Sequence, residues 1–154
     1  MKNGVTHRHL FPLGIFFIGS FLLHLLWENA QAPFFAGYQS FSQHFPICLW
    51  GTTTGDMLAM LLIYGILIII HRDVLWIGNR ATYQHPATWV LPPFFGLLFA
   101  TSFELWAIHV SHRWTYAPTM PIIPLLQIGF TPLLQMIVVP PLTIAITSFT
   151  SKKL

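Results

Sequence analysis

Four long runs of apolar residues divide the chain, and polar or turn-forming residues separate them. The runs cover residues 11–28, 54–71, 89–110 and 121–149. Each has roughly the 17–25 residues that an α-helix needs to cross the hydrocarbon core of a bilayer. None shows the period-two alternation of a barrel strand, so helices are the form expected to satisfy the backbone in lipid. The pattern predicts an all-α polytopic membrane protein, with a single domain over 1–154 built as a bundle of four transmembrane helices.

The fourth apolar run is interrupted near its start. Gly129 and Pro132 break the run, so its regular part is predicted to begin with Thr131 as N-cap and Pro132 at the first helical position. Residues 121–130 are then either a separate half-helix or a segment that lies in the membrane interface.

Composition excludes the main alternatives to a membrane protein. Hydrophobic residues make up 55% of the chain and charged residues 7%, against about 25% charged in soluble domains. The net charge of +3 comes from a few scattered residues at segment ends, and without a basic stripe we expect no nucleic-acid partner. The single cysteine, Cys48, excludes a disulfide framework and a cysteine-rich metal site.

The distribution of lysine and arginine predicts the orientation. Two precede the first helix, none lies in the first connection, two lie in the second, one in the third, and two follow the fourth helix. In chain order they are Lys2, Arg8, Arg72, Arg80, Arg113, Lys152 and Lys153. The positive-inside rule then places both termini and the middle connection in the cytoplasm. Residues 30–32 resemble a signal-peptidase site, but Pro33, Trp27 and Glu28 are unfavourable around such a cut, so the first helix is expected to be retained.

Three of the four acidic residues fall at one depth. Glu28 ends the first helix, Asp56 begins the second, and Glu104 lies in the outer half of the third. A carboxylate in a membrane is costly unless it is paired, protonated or hydrated. We therefore expect these three residues to share a polar pocket in the outer leaflet. Asp73 lies beside Arg72 and is interpreted as a solvated loop charge.

Neighbouring residues are expected to complete this pocket. His24 is four residues before Glu28 and lies on the same helix face. The predicted catalytic set is Glu28 and Glu104 as the proton-handling pair, His24 as an orienting or relaying group, and Asp56 in support. The predicted substrate-binding set is Trp27, Trp106, Trp114, Tyr116, Gln127 and Arg113.

Each acidic residue also has a purely structural explanation. Glu28 can extend to the membrane interface along its own side chain. Thr53 and Asp56 fit a helix-capping pattern. Glu104 can form a buried ion pair with Arg113.

Three functions fit the residues. The first is binding, and conversion by acid–base chemistry, of an apolar or prenyl-like membrane lipid by an isomerase or cyclase type of enzyme. The second is a non-catalytic accessory or assembly subunit, whose partners are other membrane subunits or a second copy. The third is transition-metal or haem binding by the histidines and carboxylates. No compact metal motif occurs, so no metal ligand and no cofactor are assigned.

Three stretches together resemble a group of small bacterial four-helix integral membrane proteins. They are residues 24–33 (HLLWENAQAP), residues 48–56 (CLWGTTTGD), and residues 104–121 followed by Pro132 to Gln135. The resemblance covers most of the chain. It implies a four-helix fold in a bacterial inner membrane and carries no activity with it.

The His24-x-x-x-Glu28 pair is also similar to the His-x-x-x-Glu pair in the EXPERA group, which includes sterol isomerase and the sigma-2 receptor. That local resemblance implies a compact membrane bundle with an acidic pocket, and Glu104 would be its second acid.

Overall fold

The computed structural model describes residues 7–151, and within them the fold is helical. The α-helices are α1 (His7–Gln31), α2 (Phe41–Gly51), α3 (Met57–His71), α4 (Ala87–Leu105) and α5 (Phe130–Ser151). Two π-helical turns, Thr52–Asp56 and Trp106–Val110, join α2 to α3 and extend α4. Short 3-10 turns cover Ala32–Phe34, Trp76–Gly78 and Arg80–Gln84. Lys2, Lys152 and Lys153, which contribute to the orientation prediction, lie outside the described residues.

Four of these helical segments are long and apolar enough to cross a membrane. They are Leu10–Phe34, Phe41–His71, Ala87–Val110 and Phe130–Thr150. The predicted all-α bundle with four membrane-spanning helices is therefore confirmed, and the chain is a membrane protein.

The second helical span starts earlier than the apolar pattern predicts. It begins at Phe41 rather than at residue 54, because α2 continues through the π-turn into α3. Pro46 within α2 and the polar run Thr52 to Thr54 give residues 41–53 the composition of a loop. The helix is continuous nonetheless, and it satisfies the hydroxyls of Thr53 and Thr54, which donate to the carbonyls of Leu49 and Trp50.

Residues 121–130 do not form a half-helix. Strand β1 (Ile122–Ile123) pairs with strand β2 (Ile128–Gly129) in a short antiparallel hairpin. Gln127 closes its turn with a positive φ of 55°, and its side chain donates to the carbonyl of Pro124 at 2.6 Å. Prolines lack the N–H that a continuing helix needs, so α5 begins only after the hairpin, at Phe130.

Helix α5 is the central element of the bundle. It packs against both α1 and α4, which therefore lie on either side of it, and α3 contacts α4 and α1. The backbones of α4 and α5 come close at Gly96 of α4, where an added Cβ would overlap the backbone carbonyl of Met136 on α5.

The two ends of the bundle differ in chemistry. At one end, Phe16, Tyr64 and Trp76 form a closed aromatic core, with the Tyr64 ring 5.5 Å from each of the other two ring centroids. We name this the aromatic end. The other end, where α1 and α4 finish and α3 and α5 begin, carries Glu28 and Glu104, and we name it the acidic end.

Candidate functional site

A cavity of about 1080 Å³ occupies the acidic end. Its walls come from the end of α1, the α2–α3 span, the second half of α4 and the first turns of α5. Glu28, Asp56 and Glu104 all line it. The structure therefore brings the three predicted carboxylates, which belong to three different helical spans, to one cavity.

Much of the cavity wall is apolar and faces outward. On α3 the lining residues Leu58 and Leu62 are exposed, and on the α4 side so are Phe103 and Trp106. These positions lie within membrane-spanning segments, where exposed side chains meet lipid tails. Apolar side chains that line the cavity are thus exposed at the depth of the hydrocarbon core.

Two glutamine amides connect the carboxylates on one side of the cavity. The amide nitrogen of Gln31 donates to Glu28 Oε1 at 2.9 Å and to Gln135 Oε1 at 3.1 Å. The amide nitrogen of Gln135 donates to His24 Nδ1 at 2.9 Å and to Asp56 Oδ2 at 3.3 Å. Gln135, which is 1% exposed, therefore connects α1, the α2–α3 span and α5 through its side-chain hydrogen bonds.

His24 is fully buried and does not reach the cavity itself. Its Nδ1 accepts from Gln135 and is 3.7 Å from Asp56 Oδ2. Because Nδ1 acts as an acceptor, the ring proton is on Nε2, which has no hydrogen-bond partner among the described residues. His24 therefore orients Gln135. Among the described residues no hydrogen bond joins His24 to Glu28, so the predicted proton relay between these two side chains has no direct path.

Glu104 forms a separate polar group on α4. It is 4% exposed, and its Oε2 accepts a short hydrogen bond from the hydroxyl of Tyr116. The indole of Trp114 lies beside both groups. Burial and the Glu104 contact raise the pKa of Tyr116 above its ordinary value, so its hydroxyl stays protonated and acts as donor.

The structural explanations for Glu104 and Asp56 do not describe this arrangement. No hydrogen bond or ion pair joins Glu104 to Arg113 within the described residues; the Arg113 guanidinium lies over the rings of Trp106 and Trp114 instead. Asp56 makes no capping hydrogen bond, because its residue lies inside a continuous helical span. Glu28 bonds to Gln31 and lines the cavity.

The π-turns explain how these side chains are aimed. Each turn inserts one extra residue into a helix and rotates the residues that follow, and such turns recur at functional sites. One turn ends at Asp56, and the other directly follows Leu105 and contributes Trp106 to the wall. After the second turn, His112 adopts a positive φ of 48°, which reverses the chain so that Trp114 and Tyr116 return to Glu104.

The predicted substrate-binding residues divide into two groups. Trp106, Trp114 and Arg113 line the cavity, and Tyr116 contacts it through Glu104. Trp27 and Gln127 are not part of the wall. Trp27 is one position before Glu28, so it faces about 100° away around the helix, and Gln127 is engaged in its own hairpin turn.

Gln31 and Gln135 belong to the site but not to the predicted catalytic or substrate-binding set, although Gln135 is among the polar residues expected near the pocket. Gln31 is seven residues after His24 and three after Glu28, which is the spacing of one helix face. Gln135 is the polar interruption of an otherwise apolar segment from Leu133 to Val139. Both signals are visible in the sequence, but neither says which partner the amide will meet.

The donor set of the cavity does not form a metal centre in the part of the chain that the structure describes. No group of three or more histidine, cysteine or acidic side chains there converges closely enough to hold a metal ion.

Comparisons with protein-family models, with curated proteins and with solved structures found no match for this chain.

Proposed function

We propose that the protein binds an apolar, prenyl-like membrane lipid in the cavity at the acidic end and converts it by acid–base chemistry. The observation that carries the proposal is that Glu28 and Glu104 line one largely apolar cavity, part of whose wall is exposed within membrane-spanning segments. A lipid can enter from the side of the bundle, and two carboxyl groups on different helices then face it.

The proposed reaction moves a carbon–carbon double bond. One carboxyl group of the Glu28–Glu104 pair adds its proton to one carbon of the double bond, which leaves a cation on the neighbouring carbon. The other group, as a carboxylate, removes a proton from the next carbon, and the electron pair of that C–H bond forms the new double bond. The atoms of the lipid balance, and the proton then passes back between the two carboxyl groups.

Other residues of the cavity support the two acids. Gln31 fixes the orientation of the Glu28 carboxylate, and the Tyr116 hydroxyl does the same for Glu104. The rings of Phe99 and Phe103 also line the cavity, and aromatic faces stabilise a developing cation. In this proposal Asp56 and His24 are positioning residues, because both act through Gln135.

The experiment that tests the binding step is lipid extraction from the purified protein. We expect one lipid class to be enriched over the bulk membrane, identified by mass spectrometry. Ser102 lies in the cavity wall, so Ser102→Trp should remove that lipid, whereas Ser42→Trp, on the exposed face of α2, should retain it. Equal lipid content in both variants would contradict the binding proposal.

The acid–base step is tested by deuterium transfer from solvent. The protein is incubated in D₂O with the total apolar lipid extract of the membrane, and one lipid class should gain deuterium. Glu104→Gln and Glu28→Gln should each abolish the gain while the helical circular dichroism stays unchanged. Asp73→Asn is the matched control, because Asp73 accepts from Leu75 N away from the cavity. Bound lipid without any deuterium would leave a binding protein and refute catalysis.

The proposed setting is a bacterial inner membrane with both termini in the cytoplasm. It rests on the lysine and arginine distribution and on the resemblance to small bacterial membrane proteins. The acidic end and its cavity then face the outer leaflet.

A further inference from the structure

We infer that the lipid bound in the cavity carries an anionic head group, a phosphate or pyrophosphate, and that Arg113 binds this head group at the mouth of the cavity. The inference rests on the proposed lipid binding and adds the chemical class of the ligand.

Arg113 is placed at the boundary between the cavity and the aqueous side. The helical part of the third span ends at Val110, and Arg113 follows it by three residues. Its backbone N–H donates to the Ala107 carbonyl at 2.9 Å. The preceding residue, His112, has a positive φ and its Nδ1 is 2.9 Å from the Ile108 carbonyl. A non-glycine residue in this conformation is strained, so the turn that directs Arg113 to the mouth is held by its surroundings.

Two indole rings hold the guanidinium. Its central carbon is 5.7 Å from the ring centroid of Trp106 and 6.0 Å from that of Trp114. Contacts of this kind use the flat faces of a guanidinium, and its N–H edge, which matches the oxygens of a phosphate, is left for a ligand. No carboxylate among the described residues pairs with Arg113, because Glu104 is bonded to Tyr116 and Asp56 to Gln135.

The charged residues of the cavity indicate how the ligand is oriented in it. Arg113 is the one lysine or arginine that lines the wall within the described part of the chain, and it lies at the mouth. Glu104 lies within α4, six residues before the helical part of the span ends at Val110, whereas Arg113 follows that end. An anionic head is attracted to Arg113 at the mouth and repelled by the carboxylates, and an apolar tail fits the apolar part of the wall, which includes Leu58 and Phe103.

The test compares three probes that differ only in these parts: farnesyl monophosphate, farnesol and inorganic phosphate. Binding is measured with purified protein in nanodiscs of zwitterionic lipid, so that the bilayer supplies no net anionic charge. We expect farnesyl monophosphate to bind at least about tenfold more tightly than farnesol, as a bidentate charge-assisted contact implies. Inorganic phosphate should compete only weakly, because it lacks the tail.

Variants then assign the preference to one side chain. Arg113→Gln should remove the preference for the phosphate and leave farnesol affinity unchanged. Arg72→Gln is the matched control, since Arg72 is an exposed arginine at the aromatic end, and it should keep the preference. Ser102→Trp should weaken both farnesyl compounds.

The outcomes separate this inference from the function on which it rests. If wild-type protein binds farnesol and farnesyl monophosphate equally, or if Arg113→Gln keeps the preference, the head-group assignment is wrong and lipid binding stands. If inorganic phosphate competes as well as the farnesyl ester, Arg113 binds free anions and the assignment is also wrong. If neither farnesyl compound binds, the prenyl-lipid proposal fails together with it.

Discussion

At the scale of single residues, Gln135 determines the geometry of the site. Its amide bonds to His24, Asp56 and Gln31, and the side chain is buried. We expect Gln135→Leu, which keeps the volume, to destabilise the protein by on the order of 1–3 kcal/mol, because buried polar groups then lose their partners. Unfolding in mixed detergent micelles measures the change.

The matched control is Gln43→Leu, since Gln43 is an exposed glutamine on α2. It should leave the free energy of unfolding within experimental error of the wild-type value. A Gln135→Leu variant as stable as this control would show that the amide network contributes no stability, and its role would then be confined to orienting the acids.

Single residues also show, for a physical reason, which parts of the site can be predicted from the sequence and which cannot. Glu28, Asp56 and Glu104 stand out because a carboxylate in an apolar run is costly and needs an explanation. The glutamines carry no charge, and a neutral amide is common enough between helices to be overlooked. An ion pair between Arg113 and Glu104 is the structural alternative that opposite charges suggest, yet the chain reversal at His112 places Arg113 over two indoles.

At the scale of elements, hydropathy predicts the spans well and their ends poorly. The apolar residues of α3 identify a membrane helix, but α2 contains Pro46 and Ser42, and these residue types are typical of loops. Helix α2 is nevertheless part of the membrane span, because it continues through the π-turn into α3. The hairpin from Ile122 to Gly129 could not be predicted from hydropathy. Its residues are apolar, like those of a membrane helix, and only its backbone hydrogen bonds define it.

The contact between α4 and α5 gives a prediction at the same scale. An added methyl at Gly96 would overlap the Met136 carbonyl, and backbone atoms cannot move aside as a flexible side chain can. Gly96→Ala is therefore expected to lower the free energy of unfolding by roughly 1–3 kcal/mol, the usual cost of overpacking. Thermal unfolding in detergent, followed by circular dichroism, provides the measurement.

Gly65→Ala is the control for this substitution. Gly65 lies inside α3, and no atom is within 4 Å of the position that its Cβ would take. Alanine is the better helix former by about 1 kcal/mol, so this variant should be as stable as the wild type or slightly more stable. Equal behaviour of the two variants would mean that α4 and α5 do not approach each other as closely as the structure has them.

At the scale of the whole molecule, the bundle is closed at one end and open at the other. Phe16, Tyr64 and Trp76 fill the aromatic end, whereas the acidic end encloses the cavity. Four spans place the two termini on the side of the aromatic end, together with the connection that contains Arg72 and Arg80. A protein that takes its ligand from one leaflet would need this arrangement, with one end of the bundle packed and a cavity accessible at the other.

The same arrangement yields a test of orientation. The positive-inside rule predicts that the aromatic end faces the cytoplasm and that the hairpin side and the cavity face outward. Single cysteines are introduced at Gln84 and at Thr119, both exposed, in a Cys48→Ala background. In intact cells, a membrane-impermeant maleimide should label Thr119→Cys, and Gln84→Cys should react only after the cells are permeabilised. The reverse pattern would place the cavity in the inner leaflet, where the single arginine at its mouth, Arg113, would lie on the side that normally carries the excess of positive charge.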